Sequence, residues 1–541
     1  MQCMRRGLIK KSVMPSRNQQ LRPISGKKRR RKSDVDQTGQ ASNVPSPPAT
    51  LPSFISSSYL FVALTVALLA ILIKAVIHSQ SFARRLPIEP DPDVRLSHFL
   101  AWLKDKGANI SPGVTLALFP DFGGYGVQAK NAPVQKHGEL FTIPSSVIIT
   151  SESVLKRYDL FAEDIEKTAN AAFRLPLARQ DCIIALHLMI ECSLGESSDI
   201  WPYLQILPDN VSRLDTFDDE TLDMLQDDAL ADLARHSRPE LSTAWNKGYL
   251  GKIATTLAEV RAKQQLGRKV NLYKGCLTFE SFHHYVTISS SRAMILEDGM
   301  KYLTPLADMM NHMPNYDEAG GVLSDSFLQY HTRNADGSIT VRADREVTNA
   351  GEQIFEAYGD TDNSLFLEAF GFIPDNNPFH CAMIPPEFIP RYRIIETVFK
   401  SRGLSEMPEV CVLADGTVAS VEGEELLAFA SANTVEGQGD RCLDAIESKN
   451  REGTYENCFN YTVSGPIVRA LTWNLAGQVY CSAQTTVEED VALLRQLQKD
   501  RSNSANQKAI AVKFRLEEKN TLLRARAASG GEDDGRFTCP D

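Results

Sequence analysis

The chain has 541 residues, of which 43% are hydrophobic and 23% are charged. These values are typical of a globular protein with several domains and exclude a wholly disordered chain. The net charge of −10 is unevenly spread, because residues 1–50 contain twelve Lys or Arg and two Asp. The arm therefore carries +10 and the remaining chain −20. We expect the arm to contact anionic partners, and we expect no nucleic acid to bind the acidic body.

The first predicted segment, residues 1–58, is a basic arm rich in Ser, Pro and Gln that should be disordered. It contains the run Lys27–Lys32, with the sequence KKRRRK. Such a run is consistent with a nuclear import signal, a phospholipid contact or a solvated charge run, and the sequence leaves all three open.

Residues 59–77 contain a single charge, Lys74, which lies near one end, and they predict one transmembrane or signal-anchor helix. A buried core helix and a targeting segment are the alternatives. The basic arm favours a cytosolic N-terminus and a translocated body, whereas Arg84 and Arg85 oppose that orientation. We therefore expect a single-pass membrane protein of open orientation and organelle, with nucleus and plastid as alternative locations. A linker, 78–94, should follow.

The ten cysteines are scattered and show no C-x-x-C or Cys/His spacing typical of zinc, so no metal site is predicted. We expect buried or free thiols in a reducing compartment. Three N-glycosylation sequons, about the number expected by chance, begin at Asn109, Asn210 and Asn460, and Pro112 follows the first.

Beyond the linker, the pattern alternates between strand-like and helical regions. Residues 113–150 and 321–358 indicate short strands and turns, whereas 150–290 and the region from about 385 to 527 indicate helices. No internal repeat is visible. This alternation predicts an α+β protein with more than one domain.

Several motifs occur in a distinctive order. They are Gly124-Tyr-Gly126, Trp201-Pro-Tyr-Leu204, Ser291-Arg-Ala293, the run TPLADMMNH from Thr304 to His312, AGEQIFEAYG from Ala350 to Gly359, and Phe370-Gly-Phe372. Together they resemble a SET domain, the fold of many S-adenosylmethionine-dependent protein lysine methyltransferases. Their spacing is similar to that of the RuBisCO large-subunit lysine methyltransferase branch, over residues 95–525.

The resemblance implies an α+β SET-domain β-fold with a pseudo-knot. The SET domain would span 95–376 with a helical insertion at about 150–275. An all-helical substrate-binding domain would span 377–527, and a disordered tail would complete the chain at 528–541. The implied function is S-adenosyl-L-methionine-dependent lysine methylation of a non-histone protein, which the C-terminal helical domain would bind.

The family's cofactor contacts carry over to seven positions. The glycine turn would contact the cofactor through its backbone, and a guanidinium suits the cofactor's carboxylate. The predicted cofactor-binding residues are Gly124, Tyr125, Gly126, Arg292, Asp308, Asn311 and His312.

The same resemblance makes Tyr358 the catalytic residue, with its hydroxyl beside the transferring methyl group. Phe370 stands where relatives carry Tyr, and we hypothesise that it leaves room for a higher methylation state. Met294 is predicted to line the substrate channel and to suit a lysine stem better than an imidazole.

Other functions stay open at this stage. Gly123 stands where relatives often have Glu, which supports a catalytically inactive SET-like binding module tethered at a membrane. A histone-directed or histidine-directed methyltransferase is the further alternative.

Overall fold

The computed structural model describes residues 91–541 except 132, 174, 248, 267–271, 318–329, 391, 393–395, 397–406, 421–422, 425, 428–429, 431–460, 530–538 and 540–541. The predicted basic arm and the predicted membrane helix at 59–77 lie outside the described residues. Within the described part of the chain, no helix is both long and apolar enough to cross a membrane.

The helices are, in chain order, α1 (Pro92–Asp105), α2 (Ser151–Arg157), α3 (Ala162–Ala172), α4 (Pro176–Leu194), α5 (Trp201–Leu204), α6 (Asp219–Asp223), α7 (Asp228–Asn246), α8 (Leu250–Leu266), α9 (Phe279–Arg292), α10 (Asn363–Leu365), α11 (Tyr461–Cys481), α12 (Val487–Leu497) and α13 (Asn503–Ala528). A π-helical turn, Phe366–Phe370, continues α10. Helices thus occupy most of the chain between residues 151 and 292.

The strands are β1 (Asn109–Ile110), β2 (Val114–Phe119), β3 (Gly124–Ala129), β4 (Glu139–Ile143), β5 (Met294–Ile295), β6 (Lys301–Tyr302), β7 (Asn311–His312), β8 (His331–Arg333), β9 (Ile339–Arg342), β10 (Phe355–Glu356), β11 (Cys381–Ile384) and β12 (Val410–Leu413). An antiparallel sheet has the order β1-β4-β9-β8. The pairs β2–β3 and β5–β6 are antiparallel, whereas β7 and β10 pair in parallel.

Helix α1 begins inside the predicted linker. The carboxylate of Asp91 caps it by accepting a 3.0 Å hydrogen bond from the amide of Asp93. Pro92 stands in the first turn, where a missing amide costs nothing. The linker prediction for 78–94 therefore extends too far, because a proline that resembles a spacer is also a favoured first helical residue.

The main hydrophobic core joins the β-strands to α4 and α9. From Asp181 to Leu194 every residue of α4 is buried, including Asp181, His187 and Glu191, which interrupt its otherwise mostly apolar sequence. Phe141 and Ile143 of β4 and Ile288 of α9 are buried in the same cluster. This packing holds the C-terminal end of α9, and with it Arg292, against the strands.

The C-terminal region differs from the all-helical prediction. Strands β11 and β12 pair in antiparallel register and pack against α11 and α13 around Val412, Leu475 and Leu522. Each strand has only four residues, and periodicity alone does not separate such short apolar runs from helix. Helix α13 also reaches the rest of the body, because Phe514 packs with Leu367 in a third cluster.

The prediction of buried or free thiols is wrong for six of the seven cysteines that the structure describes, because these six form disulfides, whereas Cys182 is a buried thiol. Three disulfides join Cys192 to Cys276, Cys381 to Cys411 and Cys481 to Cys539. The partners are 84, 30 and 58 residues apart, so only the folded chain brings them together. The last bond also ties a residue of the predicted disordered tail to the end of α11. Among the described residues, no group of His, Cys, Asp and Glu is arranged to hold a metal ion.

Candidate active site

The candidate site centres on the parallel pair of β7 and β10. Asn311 lies opposite Phe355, and His312 lies opposite Glu356. Tyr358 follows two residues after β10, and its hydroxyl donates a 2.7 Å hydrogen bond to the carbonyl oxygen of Met310. The motifs that stand forty-six residues apart in sequence therefore meet in one place.

An aromatic cluster surrounds Tyr358 and His312. The ring centroid of Phe370 lies 4.8 Å from that of Tyr358, and the ring of Phe372 lies 5.4 Å from that of His312. Gly371 separates the two phenylalanines with a φ of 78°, and a Cβ there would lie 2.6 Å from the carbonyl oxygen of Ser212. Only glycine allows both the positive φ and the close approach to Ser212. Position 371 therefore has to be glycine for the two phenylalanines to pack in this cluster.

The second glycine of the Gly-x-Gly turn lies against the same strand pair. A Cβ on Gly126 would stand 2.9 Å from Nδ2 of Asn311 and 2.8 Å from the ring of Phe119, and it would also collide with the amide of Gln353. A Cβ on Gly124, in contrast, would meet no atom within 4 Å among the described residues. Gly126 is thus the position where close approach of the backbone requires glycine.

Tyr125, between the two glycines, points its side chain away from this centre. Its hydroxyl donates a 3.1 Å hydrogen bond to the carbonyl oxygen of Pro92 at the start of α1. Its ring is buried in the main core. If Tyr125 contacts a cofactor, it does so through its backbone, as the prediction requires.

Gly123 has a structural explanation. It ends a short 3₁₀ turn in the left-handed conformation, with φ 75° and ψ 14°. A side chain at such a position costs roughly 1–2 kcal/mol. Its presence in place of Glu therefore follows from the backbone and no longer favours an inactive binding module.

The predicted cofactor residues Arg292 and Asp308 contact each other. Nη1 of Arg292 donates a 2.6 Å hydrogen bond to the carbonyl oxygen of Asp308 and lies 3.8 Å from its Oδ2. That same Oδ2 accepts a 2.7 Å hydrogen bond from the hydroxyl of Tyr203. Burial raises the pKa of Asp308 to about 6, although Arg292 and Tyr203 act in the opposite direction. Asp308 therefore positions the guanidinium.

Several buried polar atoms near the strand pair have no hydrogen-bond partner among the described residues. They are Oδ1 of Asp308, Nδ2 of Asn311, Nε2 of His312, and Nε2 and Oε1 of Gln353. Unsatisfied buried groups are rare and call for an explanation, of which an absent ligand is one. With the close backbone approach at Gly126, these donors and acceptors fit a polar nucleoside or amino-acid group.

Burial controls the protonation of the two central side chains. It lowers the pKa of His312 to about 3, assisted by Arg345, so the imidazole is neutral at physiological pH. It raises the pKa of Tyr358 well above its ordinary value, assisted by Glu356. Tyr358 is therefore a neutral hydrogen-bond donor and does not act as a base.

Met294 opens β5, pairs with Tyr302 and packs against the main core. Its place in a substrate channel stays a prediction. Sequence reasoning missed Gln353 and the role of Tyr203, although both stand inside motifs it singled out. The hydrogen bond from the hydroxyl of Tyr203 to Asp308 joins residues that are far apart in the chain, so no local pattern in the sequence indicates it.

Comparison with solved structures finds SET-domain proteins. A SET domain of LSMT bound to lysine and AdoHcy matches with a TM-score of 0.56 at 19% identity, covering 81% of this chain and 92% of that one. Rubisco LSMT bound to sinefungin and monomethyllysine matches with a TM-score of 0.52 at 18% identity, again over 81% of this chain. No protein-family model matches the chain.

The chain therefore has the SET-domain fold of the RuBisCO large-subunit methyltransferase structures, and the predicted α+β fold class is confirmed. Solved structures of this fold hold AdoMet or AdoHcy, which bears out S-adenosyl-L-methionine as the cofactor predicted for it.

The chain is also similar in sequence to known proteins of animals and of a plant. The actin-histidine N-methyltransferase of Drosophila melanogaster is 26% identical over 317 residues, and that of Canis lupus familiaris is 26% identical over 446 residues. Protein SET DOMAIN GROUP 40 of Arabidopsis thaliana is 24% identical over 296 residues. The matches cover 55%, 79% and 51% of this chain, and 53%, 67% and 55% of the respective relatives.

Proposed function

We propose that this protein is an S-adenosyl-L-methionine-dependent protein N-methyltransferase with a lysine side chain as acceptor. The observation that carries the proposal is the meeting of Tyr358 with the β7–β10 pair, where several buried polar atoms lack partners within the described part of the chain. The named activity of the fly and dog relatives supports protein N-methyl transfer, and a solved structure of the same fold bound to lysine and AdoHcy supports the lysine acceptor.

The residues fit the cofactor on three counts. Gly126 lets the amide of Asn311 approach its backbone closely, Asn311 and His312 have buried donors without a partner among the described residues, and Arg292 offers a cation for a carboxylate. When bound, S-adenosylmethionine would supply a sulfonium methyl group, which a neutral amine would accept by in-line attack on the methyl carbon, with S-adenosylhomocysteine as the leaving group. The site therefore has to position the amine and exclude water, and it needs little acid–base chemistry.

Tyr358 is suited to that positioning. Because its hydroxyl proton is directed to the carbonyl of Met310, its oxygen keeps lone pairs that can face an amine or a methyl group. The high pKa of the phenol keeps it uncharged, so it orients the acceptor through its dipole. Phe370 and Phe372 provide apolar walls around it, which suit an alkyl stem and exclude water.

Lysine is favoured by those walls. A histidine acceptor reacts through one ring nitrogen while the other carries a proton that needs a hydrogen-bond partner. The phenyl ring of Phe370, which packs against Tyr358, offers no such partner. A histidine acceptor is the second candidate, because the fly and dog relatives are actin-histidine N-methyltransferases.

Two further parts of the proposal rest on the sequence. Residues 59–77 anchor the protein in a membrane as a single span, and the C-terminal helical region binds the protein substrate. The second part gains support from α13, which packs on both the C-terminal strands and the rest of the body.

The test is labelled methyl transfer from S-adenosylmethionine into whole-cell extract by the full-length protein, beside its Tyr358→Phe form. Labelled product is hydrolysed and its methylated amino acid identified by mass spectrometry. Methyllysine that depends on Tyr358 supports the proposal, and methylhistidine replaces it with the second candidate. Absence of labelling together with absence of S-adenosylhomocysteine binding overturns both.

A further inference from the structure

Most cysteines in the described part of the chain are paired. Of the seven cysteines that the structure describes, six form the three disulfides, and the seventh, Cys182, is a buried thiol. Burial raises the pKa of the Cys182 thiol, which makes it unreactive. A protein of a reducing compartment rarely has such a pattern, whereas proteins folded in oxidising compartments commonly do.

The disulfides connect elements that carry the fold. Cys192 lies near the end of α4 and Cys276 in the turn before α9, so their bond ties α4 to the segment that leads into α9. The bond between Cys381 and Cys411 joins β11 to β12. All four of these cysteines are buried, as expected of structural bonds and not of exposed regulatory thiols.

A modification motif lies on the surface of the same body. Asn210-Val-Ser212 is an N-glycosylation sequon, and Asn210 is exposed in an irregular segment between α5 and α6. Asn109 is also exposed, but it lies in β1 and its sequon is followed by Pro112. The third sequon, at Asn460, lies outside the described residues.

We propose that the catalytic body folds in an oxidising compartment that performs N-glycosylation, and that Asn210 is a glycan attachment site. This corrects the reducing compartment expected from the sequence. It agrees with the orientation that the basic arm favours, with the arm cytosolic and the body translocated. Resting on the proposed function, it also assigns the protein substrates to that same compartment.

Disulfide formation and glycan attachment each require a reactant that the compartment supplies: an oxidant for the first and a glycan donor for the second. For each disulfide, two thiols give up two protons and two electrons to a protein dithiol–disulfide oxidant. For the glycan, Nδ2 of Asn210 forms a bond to the anomeric carbon of an oligosaccharide, loses one proton and displaces a polyisoprenyl diphosphate carrier.

The disulfides are tested by differential thiol labelling of the full-length protein made in eukaryotic cells. The protein is denatured in light maleimide, then reduced and labelled with heavy maleimide, and the peptides are identified by mass spectrometry. Cys182 should carry the light label and the six paired cysteines the heavy label. Light label on those six overturns the proposal. A Cys182→Ser variant should lose one light label and keep every heavy one.

The glycan is tested on the same preparations by digestion with a peptide N-glycosidase. We expect digestion to increase the electrophoretic mobility of the wild type. We expect the Asn210→Gln variant not to show that increase. Asn131→Gln is the matched control, because Asn131 is exposed and outside any sequon. Ser212→Thr, which preserves the sequon, should retain the glycan. An unmodified Asn210 in the wild type overturns the assignment.

Neither assay depends on methyl transfer. If labelling and digestion give the expected results while methyl transfer is absent, the proposed enzyme activity fails and the compartment assignment stands. If methyl transfer occurs in a protein whose six cysteines are free thiols, the compartment assignment alone fails.

Discussion

The backbone amide of Tyr358 donates a 3.0 Å hydrogen bond to Nδ1 of His312. This bond requires Nδ1 to be unprotonated, so the neutral ring carries its proton on Nε2. Nε2 is buried and has no partner among the described residues. The catalytic tyrosine predicted from the sequence thus fixes the tautomer of the predicted cofactor residue, and His312 faces the site as a hydrogen-bond donor.

Tyr358→Phe should abolish most methyl transfer without unfolding the protein. The loss of one preorganised polar group at a reacting centre typically costs about 10²–10³-fold in rate. The stability cost should be only about 1 kcal/mol, since a single hydrogen bond to the carbonyl of Met310 is lost. The measurement is the initial rate of labelled methyl transfer, paired with thermal denaturation.

Tyr158→Phe is the matched control for that experiment. The hydroxyl of Tyr158 is buried and hydrogen-bonded to Nδ1 of His187 at 3.0 Å, away from the aromatic cluster. Its removal should cost similar stability and leave the rate within about twofold. Equal rate losses in the two variants would show that Tyr358 acts only through the fold.

Gly126→Ala should weaken cofactor binding, whereas Gly124→Ala should not. A methyl group on Gly126 would lie 2.9 Å from the amide of Asn311, so either the strand or the amide has to move. Overpacking of this kind costs about 1–3 kcal/mol. Calorimetric titration with S-adenosylhomocysteine should show Kd raised by at least about tenfold. Similar affinities in the two variants would rule out the proposed approach of the cofactor to Gly126.

The site was predictable from sequence where its residues form local motifs. Asn311-His312, Tyr358 and Phe370-Gly-Phe372 stand in a recognisable order, and the fold that this order implied is the fold observed. The links between Asp308 and Tyr203, and between Cys192 and Cys276, were not predictable. Each of these pairs is more than eighty residues apart and is joined only by tertiary packing, which no local pattern records.

Phe370→Tyr should restrict how many methyl groups the acceptor receives. The ring of Phe370 lies 4.8 Å from that of Tyr358, so a hydroxyl added to it would enter the same apolar space. We expect the wild type to form di- or trimethylated product and the variant to stop earlier, which mass spectrometry of an exhaustive reaction measures. Purely monomethylated product from the wild type would contradict the role of Phe370.

A buried ion-pair cluster at His380 should make the free energy of unfolding fall as the pH rises into the alkaline range. Nδ1 of His380 lies 3.4 Å from Oδ2 of Asp362, and Nε2 lies 3.2 Å from Oε1 of Glu518 on α13. Burial alone would lower the pKa of His380, but Glu518 and Asp362 outweigh it and raise the pKa to about 10. His380 therefore carries the charge that joins Glu518 of α13 to Asp362.

The sign of the pH effect follows from that raised pKa. The folded-state pKa exceeds the unfolded value of about 6.5, so the stabilisation is complete below pH 6.5 and is lost as the pH rises towards 10. His380→Gln should lower the free energy of unfolding by about 3–5 kcal/mol at pH 6, because buried carboxylates are left without their cation. The difference in the free energy of unfolding between this variant and the wild type should be smaller at pH 9.5. Denaturant titrations at the two pH values measure it, with the exposed His236→Gln as control, and a difference that stays constant would refute the charged state of His380.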